Sequence, residues 1–313
     1  MKLIIQIPCF NEAETLPVTL QDLPKDIPGI DDIEILIIDD GSTDDTVNVA
    51  QAQGVHHVVS LNKNKGLAKG FTAGLDACLR LGADIIVNTD ADNQYAGADI
   101  INLVQPILEG KADLVIGDRE INQISEFSWL KKRLQQLGSW VVRQVSTTSV
   151  PDTTSGFRAL SREAALQINV VSEFTYTLET IIQAGKKNLS ITSEPVRTNR
   201  KLRESRLFKS NWGYIKRSVA TIGRIYTMYE PLKMFSFIGG VFFLAGLLLG
   251  LRFLYFYITQ GGAGHIQSLI LTAILLLLGV QIFIIGLLAD IIGSNRSLIE
   301  NILYRIKKME YKK

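Results

Sequence analysis

Up to Gly117 the chain alternates short apolar runs with amphipathic stretches. Leu3–Ile7, Ile33–Ile38, Val55–Ser60, Ile85–Thr89 and Leu114–Gly117 read as strands. Glu14–Leu20, Asp45–Ala52, Lys69–Leu81 and Asp99–Leu108 carry helical spacing. Such β–α alternation predicts an α/β domain with a mostly parallel, Rossmann-like sheet between helices. From Leu130 to Pro195 the pattern adds helices over 130–145 and 175–184 and a strand near Leu189–Ser193. No internal repeat or low-complexity segment interrupts it.

After Glu230-Pro231 the chain changes solvent. Phe235–Tyr257 and Leu269–Ile292 are almost wholly apolar, and each exceeds the ~20 residues that cross a hydrocarbon core. Both are apolar all round, unlike a core helix with one polar face, so two transmembrane helices are expected. The link 259–268 has no Lys or Arg, whereas Lys233 precedes the first span and Arg296, Arg305, Lys307, Lys308, Lys312 and Lys313 follow the second. The positive-inside rule then places the large domain and the tail in the cytoplasm, with a short loop outside. Arg252 and Asp290 lie near span ends, where they can snorkel. Trp212, Ile215, Val219, Ile222, Tyr226 and Tyr229 form one apolar helical face flanked by Lys209, Lys216, Arg217 and Arg224. That helix either lies in the membrane interface or packs on the main domain. The expected organisation is therefore a catalytic domain over 1–207, an amphipathic helix over 208–232, a hairpin over 233–293 and a basic tail over 294–313.

Composition changes this picture little. A net charge of +2 gives no electrostatic footprint for nucleic acid, and no such partner is expected. Cys9 and Cys78 lack metal-ligand spacing and are expected to be reduced and structural. Met1-Lys2 leads straight into a strand pattern, with no signal peptide visible. His56, His57 and His265 show no catalytic context.

Candidate chemistry gathers where strands end, the edge at which open α/β sheets bind ligands. Thr89-Asp90-Ala91-Asp92-Asn93-Gln94 follows the fourth strand. Two carboxylates at alternate positions diverge, so one can face a nucleotide and the other a hard divalent cation. Pro8-Cys9-Phe10-Asn11-Glu12 follows the first strand, and Asp39-Asp40-Gly41-Ser42-Thr43-Asp44 the second. An Asp there accepts from a base N–H or a ribose hydroxyl, or else forms a turn with Gly41 and a cap with Ser42 or Thr43. Asn62–Gly70 is a lysine-rich loop entering a helix, suited to a diphosphate or to solvent alone.

This ordered set resembles the inverting family-two glycosyltransferases of type-A fold, over roughly residues 1–207. Asp92-Asn93-Gln94, Gly117-Asp118-Arg119, Ser155-Gly156-Phe157-Arg158 and the paired C-terminal spans are similar to the polyprenyl-phosphate subgroup, which includes dolichol-phosphate mannose synthases and bacterial undecaprenyl-phosphate glucosyltransferases. Arg203-Glu204-Ser205-Arg206 resembles that subgroup's Gly-Glu-Ser-Lys segment, with Arg203 where Gly is usual. The resemblance implies a nucleotide-sugar donor, with a UDP-glucose-like donor favoured. Pro8, Asn11, Glu12, Asp39, Asp40, Lys65, Gly66, Asp90 and Ala91 would bind it. Asp90, Asp92 and Gln94 would hold Mg2+ or Mn2+ and, with Arg119, Asp152 and Arg158, carry the chemistry. A homo-oligomer and a separate flippase for the product are further expectations.

The acceptor can be argued from charge. A phosphate monoester is already anionic at pH 7, its second pKa being ~6, so it needs cations to hold it rather than a strong base. Arg119, Ser155, Arg158, Arg200, Arg203 and Arg206 are the candidates, since guanidinium forks match phosphate geometry. Arg200–Arg206 reads equally as a solvated loop or a contact for anionic lipid. Asp152 either orients an arginine or acts as acid or base. Glu179 reads as a structural ion pair or a residue approaching the sugar.

Overall fold

A computed structural model of the 313-residue chain describes residues 1–119, 139–140, 142–143, 146, 148, 150–171, 176–199, 220, 223–224, 226–261 and 265–311. Its strands are β1 (Lys2–Cys9), β2 (Asp32–Asp39), β3 (His57–Ser60), β4 (Ile85–Asn88), β5 (Leu114–Asp118), β6 (Arg158–Ser161) and β7 (Ile191–Pro195). Its helices are α1 (Leu16–Asp22), α2 (Thr46–Ala52), α3 (Leu67–Arg80), α4 (Ile100–Leu108), α5 (Arg162–Gln167), α6 (Thr177–Lys186), α7 (Pro231–Gln260) and α8 (Ile266–Glu310). The chain divides into two compact units, one of residues 1–218 and 302–313 and the other of 219–301.

In the first unit the seven strands form one sheet in the order β3-β2-β1-β4-β6-β5-β7. β1 pairs in parallel with β2 and β4, and β5 with β7. The central strands are buried on both faces, which is why they read as near-continuous apolar runs. Ile5, Ile7, Val87 and Val115 share a cluster with Ile100, Leu103 and Val104 of α4. Each such side chain contributes about 1.5–3 kcal/mol by leaving water. On α3, Phe71, Leu75 and Cys78 are buried. A Cβ on Gly74 would come within 2.4 Å of Gln6 Oε1, so α3 presses directly on β1.

Each strand and helix expected before Gly117 is present, with ends shifted by a few residues. β6 and α5 were not expected. β6 is short, starts with a charged residue and runs antiparallel between β4 and β5, pairing Arg158 with both Asn88 and Ile116. Being antiparallel to both, it leaves β4 and β5 parallel to each other. The C-terminal ends of β1, β2, β4 and β5 and the start of β6 therefore share one sheet edge. The expected helix over 130–145 and the amphipathic helix after Trp212 lie largely outside the described residues.

In the second unit, α7 and the apolar part of α8 are long and apolar enough to cross a membrane. Their most apolar windows are only 11% and 17% buried, which a soluble core helix would not tolerate. The helices meet through small residues: a Cβ on Gly239 would lie 2.8 Å from the Gly279 carbonyl oxygen, and one on Gly279 would lie 2.9 Å from that of Gly239. Without a hydrophobic drive between helices in lipid, such close backbone approach supplies the packing. In place of a separate tail after residue 293, α8 runs unbroken to Glu310. Its last residues belong to the first unit. There Tyr304 donates to Glu163 Oε1 at 2.5 Å, the Tyr311 hydroxyl donates to Asp76, and Arg162 donates to the Tyr311 carbonyl.

Candidate active site

The sheet changes winding direction at β1 and β4, and loops diverge from that edge to leave a crevice. The loop after β4 is pinned along its length. Thr89 N donates to the Gln6 carbonyl at 3.2 Å, Thr19 Oγ1 to the Ala91 carbonyl at 2.9 Å, and Asn199 N to the Gln94 carbonyl at 2.9 Å. Asn93 takes φ 53°, a left-handed turn that asparagine tolerates well. Asp92 Oδ1 accepts from Gln94 N at 3.2 Å. Asp90 and Asp92 are partly exposed there, while Ala91 between them is buried and packs inward.

Beneath Asp90 lies a polar floor that sequence reasoning missed. Asn88 donates to the Gly156 carbonyl and to the Tyr176 hydroxyl, both at 2.9 Å, and accepts from Gln6 Nε2 at 2.9 Å. Gly156 N donates to the Tyr95 hydroxyl at 3.2 Å. A Cβ on Gly156 would lie 3.0 Å from the Tyr176 hydroxyl and 3.1 and 3.2 Å from the Asp90 carboxylate oxygens. Gly156 is thus the floor tile against which the Asp90 carboxylate rests. Burial raises the pKa of both Tyr95 and Tyr176, so each stays a neutral hydrogen-bonding hydroxyl. Gly156 stood in a motif without a role of its own, and Asn88, a polar residue ending an apolar strand, was the other trace in the sequence.

Arg119, just past β5, forms a bidentate ion pair with Asp152: Nε to Oδ2 at 2.7 Å and Nη2 to Oδ1 at 3.1 Å, with Nη2 also donating to Thr154 Oγ1 at 2.9 Å. The side chains are 9% and 1% exposed. Burial lowers the Arg119 pKa, but Tyr95 and Asp152 outweigh it and raise the result. No hydrogen bond links its Nη1 to the described residues. Asp152 has both oxygens engaged, so of its two readings the geometry matches the one that orients an arginine.

Arg158 and Ser155 require a correction as phosphate ligands. Arg158 is fully buried, donating to the Thr177 carbonyl at 3.2 Å, to Thr180 Oγ1 and to the Ser155 carbonyl, with its guanidinium 5.2 Å from the Tyr176 ring centroid. Burial lowers its pKa. Ser155 is also buried, its Oγ 3.5 Å from the Phe157 carbonyl. Both build the wall behind the crevice. Glu179 is likewise buried and accepts from Val171 N at 3.2 and 3.1 Å. Arg200, Arg203 and Arg206 lie outside the described residues.

At the other end of the crevice, Asp39 is buried with Oδ1 accepting from Ser42 N at 2.9 Å, and its Oδ2 takes no hydrogen bond from the described residues. Asp40, expected beside it as a donor ligand, instead accepts from Lys65 N at 2.7 Å and Gly66 N at 2.8 Å. It thereby shapes the loop that starts α3, with Gly66 at φ 88°. Asn11, at φ 57°, accepts from Thr43 N at 2.8 Å, and Glu12 accepts from Thr15 Oγ1 at 2.8 Å. Pro8 lies in β1 opposite Ile38. These contacts bring the loops after β1 and β2 together around Asp39.

A divalent cation fits the Asp90–Asp92 mouth. The donor set is two carboxylates, of which Asp92 has one oxygen clear of described partners, with no cluster of three or more His, Cys, Asp or Glu among the described residues. Few protein oxygens leave coordination positions for water and phosphate, as Mg2+ and Mn2+ sites on nucleotides require.

Residues 4–168 match the model of glycosyl transferase family 2, and residues 230–294 that of the GtrB C-terminal hairpin. The polyprenol monophosphomannose synthase of Mycolicibacterium smegmatis is 27% identical over 220 residues, covering 66% of this chain and 82% of that protein. The undecaprenyl-phosphate 4-deoxy-4-formamido-L-arabinose transferase of Proteus mirabilis is 26% identical over 308 residues, covering 93% of this chain and 88% of that one. Among solved structures, glucosyl-3-phosphoglycerate synthase from Mycobacterium tuberculosis, in complex with Mn2+, UDP and glucosyl-3-phosphoglycerate, is similar with a TM-score of 0.56 at 22% identity. That likeness covers 71% of this chain and 78% of the other, and it carries the type-A glycosyltransferase fold.

Proposed function

The chain belongs to glycosyl transferase family 2, and from that premise we propose that it transfers a sugar from a nucleotide sugar to a polyprenyl phosphate at a membrane. The observation that carries the proposal is the Asp90–Asp92 mouth together with the Arg119 guanidinium, which Asp152 orients and whose charge interacts with Asp90. Two long apolar helices in the same chain suit an acceptor confined to a bilayer. The names of both relatives above contain a polyprenyl or undecaprenyl acceptor. Their sugars differ, so the donor is proposed only as a nucleotide sugar, with UDP-glucose the first to test.

In this reading Asp39 and the loops around it hold the nucleoside, and the Asp90–Asp92 mouth faces the diphosphate. A divalent cation held by Asp90 and Asp92, when bound, would neutralise charge building on the leaving diphosphate. An acceptor phosphate oxygen attacks the anomeric carbon, the bond to the diphosphate oxygen breaks, and the configuration inverts. No proton has to be removed from the nucleophile. The engagement of Asp152 with Arg119 accords with that, since the carboxylate is needed to orient a cation. The positively flanked spans favour a cytoplasmic site in a cell membrane.

The test is a product assay with purified chain, a short polyprenyl phosphate, Mn2+ or Mg2+, and a panel of radiolabelled nucleotide sugars, with Asp92→Ala alongside. Metal-dependent transfer from one donor, reduced at least about 100-fold in the variant, is the expected outcome. Donor binding with no glycolipid from any phosphate acceptor would overturn the reading.

A further inference from the structure

The first unit holds a cavity of about 350 Å³ that Asp39, Asp90 and Asp92 do not line. Its walls come from the loop between β3 and α3, α3 itself, the segment after α5 and the end of α8. Three lysines line it, Lys65, Lys69 and Lys307, against a single acidic residue, Asp76. Asp76 is already engaged: Oδ2 accepts from Arg80 Nε at 3.1 Å, and Oδ1 from the Tyr311 hydroxyl. Lys65 and Lys69 form no ion pair with described residues. Lys307, well past the apolar part of α8, is half-buried, and its Nζ donates to a neutral acceptor, Asn169 Oδ1, at 2.7 Å. Burial lowers its pKa, Asp76 opposes the shift, and the nearby Lys187 ammonium adds to it.

A half-buried ammonium whose one nearby carboxylate, Asp76, is already shared with Arg80 and Tyr311 is costly, and two more lysines at the same cavity add repulsion. A multivalent anion relieves both. Three separated point-charge donors suit phosphate, whose oxygens each accept a charge-assisted hydrogen bond. Leu61, Ile168 and Val170 give the cavity an apolar wall as well. We propose that this cavity binds a phosphate-bearing anion with an apolar substituent, bridging α3 and the end of α8. Lys65 borders both sites: its backbone N–H is held by Asp40, and the residue also lines the cavity.

The ligand's phosphate has two sources, a soluble ester or a lipid headgroup, and lysine acylation footprinting of the full chain separates them. The chain is placed in detergent micelles with EDTA and inorganic phosphate, or in phosphatidylcholine nanodiscs with or without phosphatidic acid. Protection of Lys69 and Lys307 by inorganic phosphate, with Lys111 unprotected, supports the site and a soluble source. Protection by phosphatidic acid alone supports the site and a headgroup. Protection by neither overturns the proposal. Lys69→Gln with Lys307→Gln should weaken apparent phosphate affinity, read from protection of Lys65, by about tenfold or more, and Lys111→Gln should leave it unchanged. Equal affinity in the double variant and the wild type would also overturn it. The readout is binding alone, so failure of the transfer assay leaves it intact.

Discussion

Replacing Asp152 by Asn separates what holds this site together from what acts in it. The carboxylate is 1% exposed and its partner Arg119 9%, so solvent screens the pair little. Asn retains one acceptor oxygen but removes the charge and turns an amide NH2 toward a guanidinium that can only donate. Breaking one side of a buried pair leaves an uncompensated charge and costs about 3–5 kcal/mol. For a unit of this size that corresponds to a drop of about 10 °C in Tm. Thermal unfolding of the purified chain in detergent measures it. The paired control is Arg119→Met with Asp152→Leu, which removes both charges while keeping apolar volume. Its stability should return to within about 1 kcal/mol of wild type. Its transfer rate should stay at least about 100-fold down, since the cation for the acceptor is gone. A double variant as unstable as Asp152→Asn would refute the ion-pair reasoning. One that is stable and fully active would refute the role given to Arg119.

Two further outcomes follow from named contacts. Gly156→Ala should place its methyl 3.0–3.2 Å from the Tyr176 hydroxyl and the Asp90 carboxylate, so one of them must shift by a few tenths of an ångström. With Asp90 moved, kcat/KM for the donor should fall about tenfold or more, as steady-state kinetics would show; an unchanged kcat/KM would contradict the floor described for Asp90. The Tyr311 hydroxyl is pushed up to about 12 by burial and by its hydrogen bond to Asp76. Its folded pKa lies above its unfolded value of ~10, so its stabilising contribution is full below pH ~10 and is lost as pH rises through about 12. Hydrogen exchange over residues 302–311 should therefore accelerate across that window in wild type and show no such step in Tyr311→Phe.

Local pattern alone determined much of this protein. A strand buried on both faces must be apolar along its length, and a helix in lipid must be apolar all round, so β1, β2, β4, β5, α7 and the apolar part of α8 were each legible from their own residues. The place of Asp39, Asp90 and Asp92 at the sheet edge was legible for a related reason, since polar residues at the end of a buried strand mark that edge. Pairing across distant segments left no such mark. β6 is four residues beginning with an arginine, and only its place between β4 and β5 makes it a strand. The same insertion sends Arg158 into the wall instead of toward a phosphate, and puts Gly156 under Asp90. Asp40 looked identical to Asp39 in sequence, yet its neighbours across the crevice turned it into a loop clamp. The end of α8 read only as a basic tail, and the structure gives it Glu163, Asn169 and Asp76 as partners. A side chain's environment depends on residues far away in the chain, and the role of a charged group is decided by whether that environment has already used its charge.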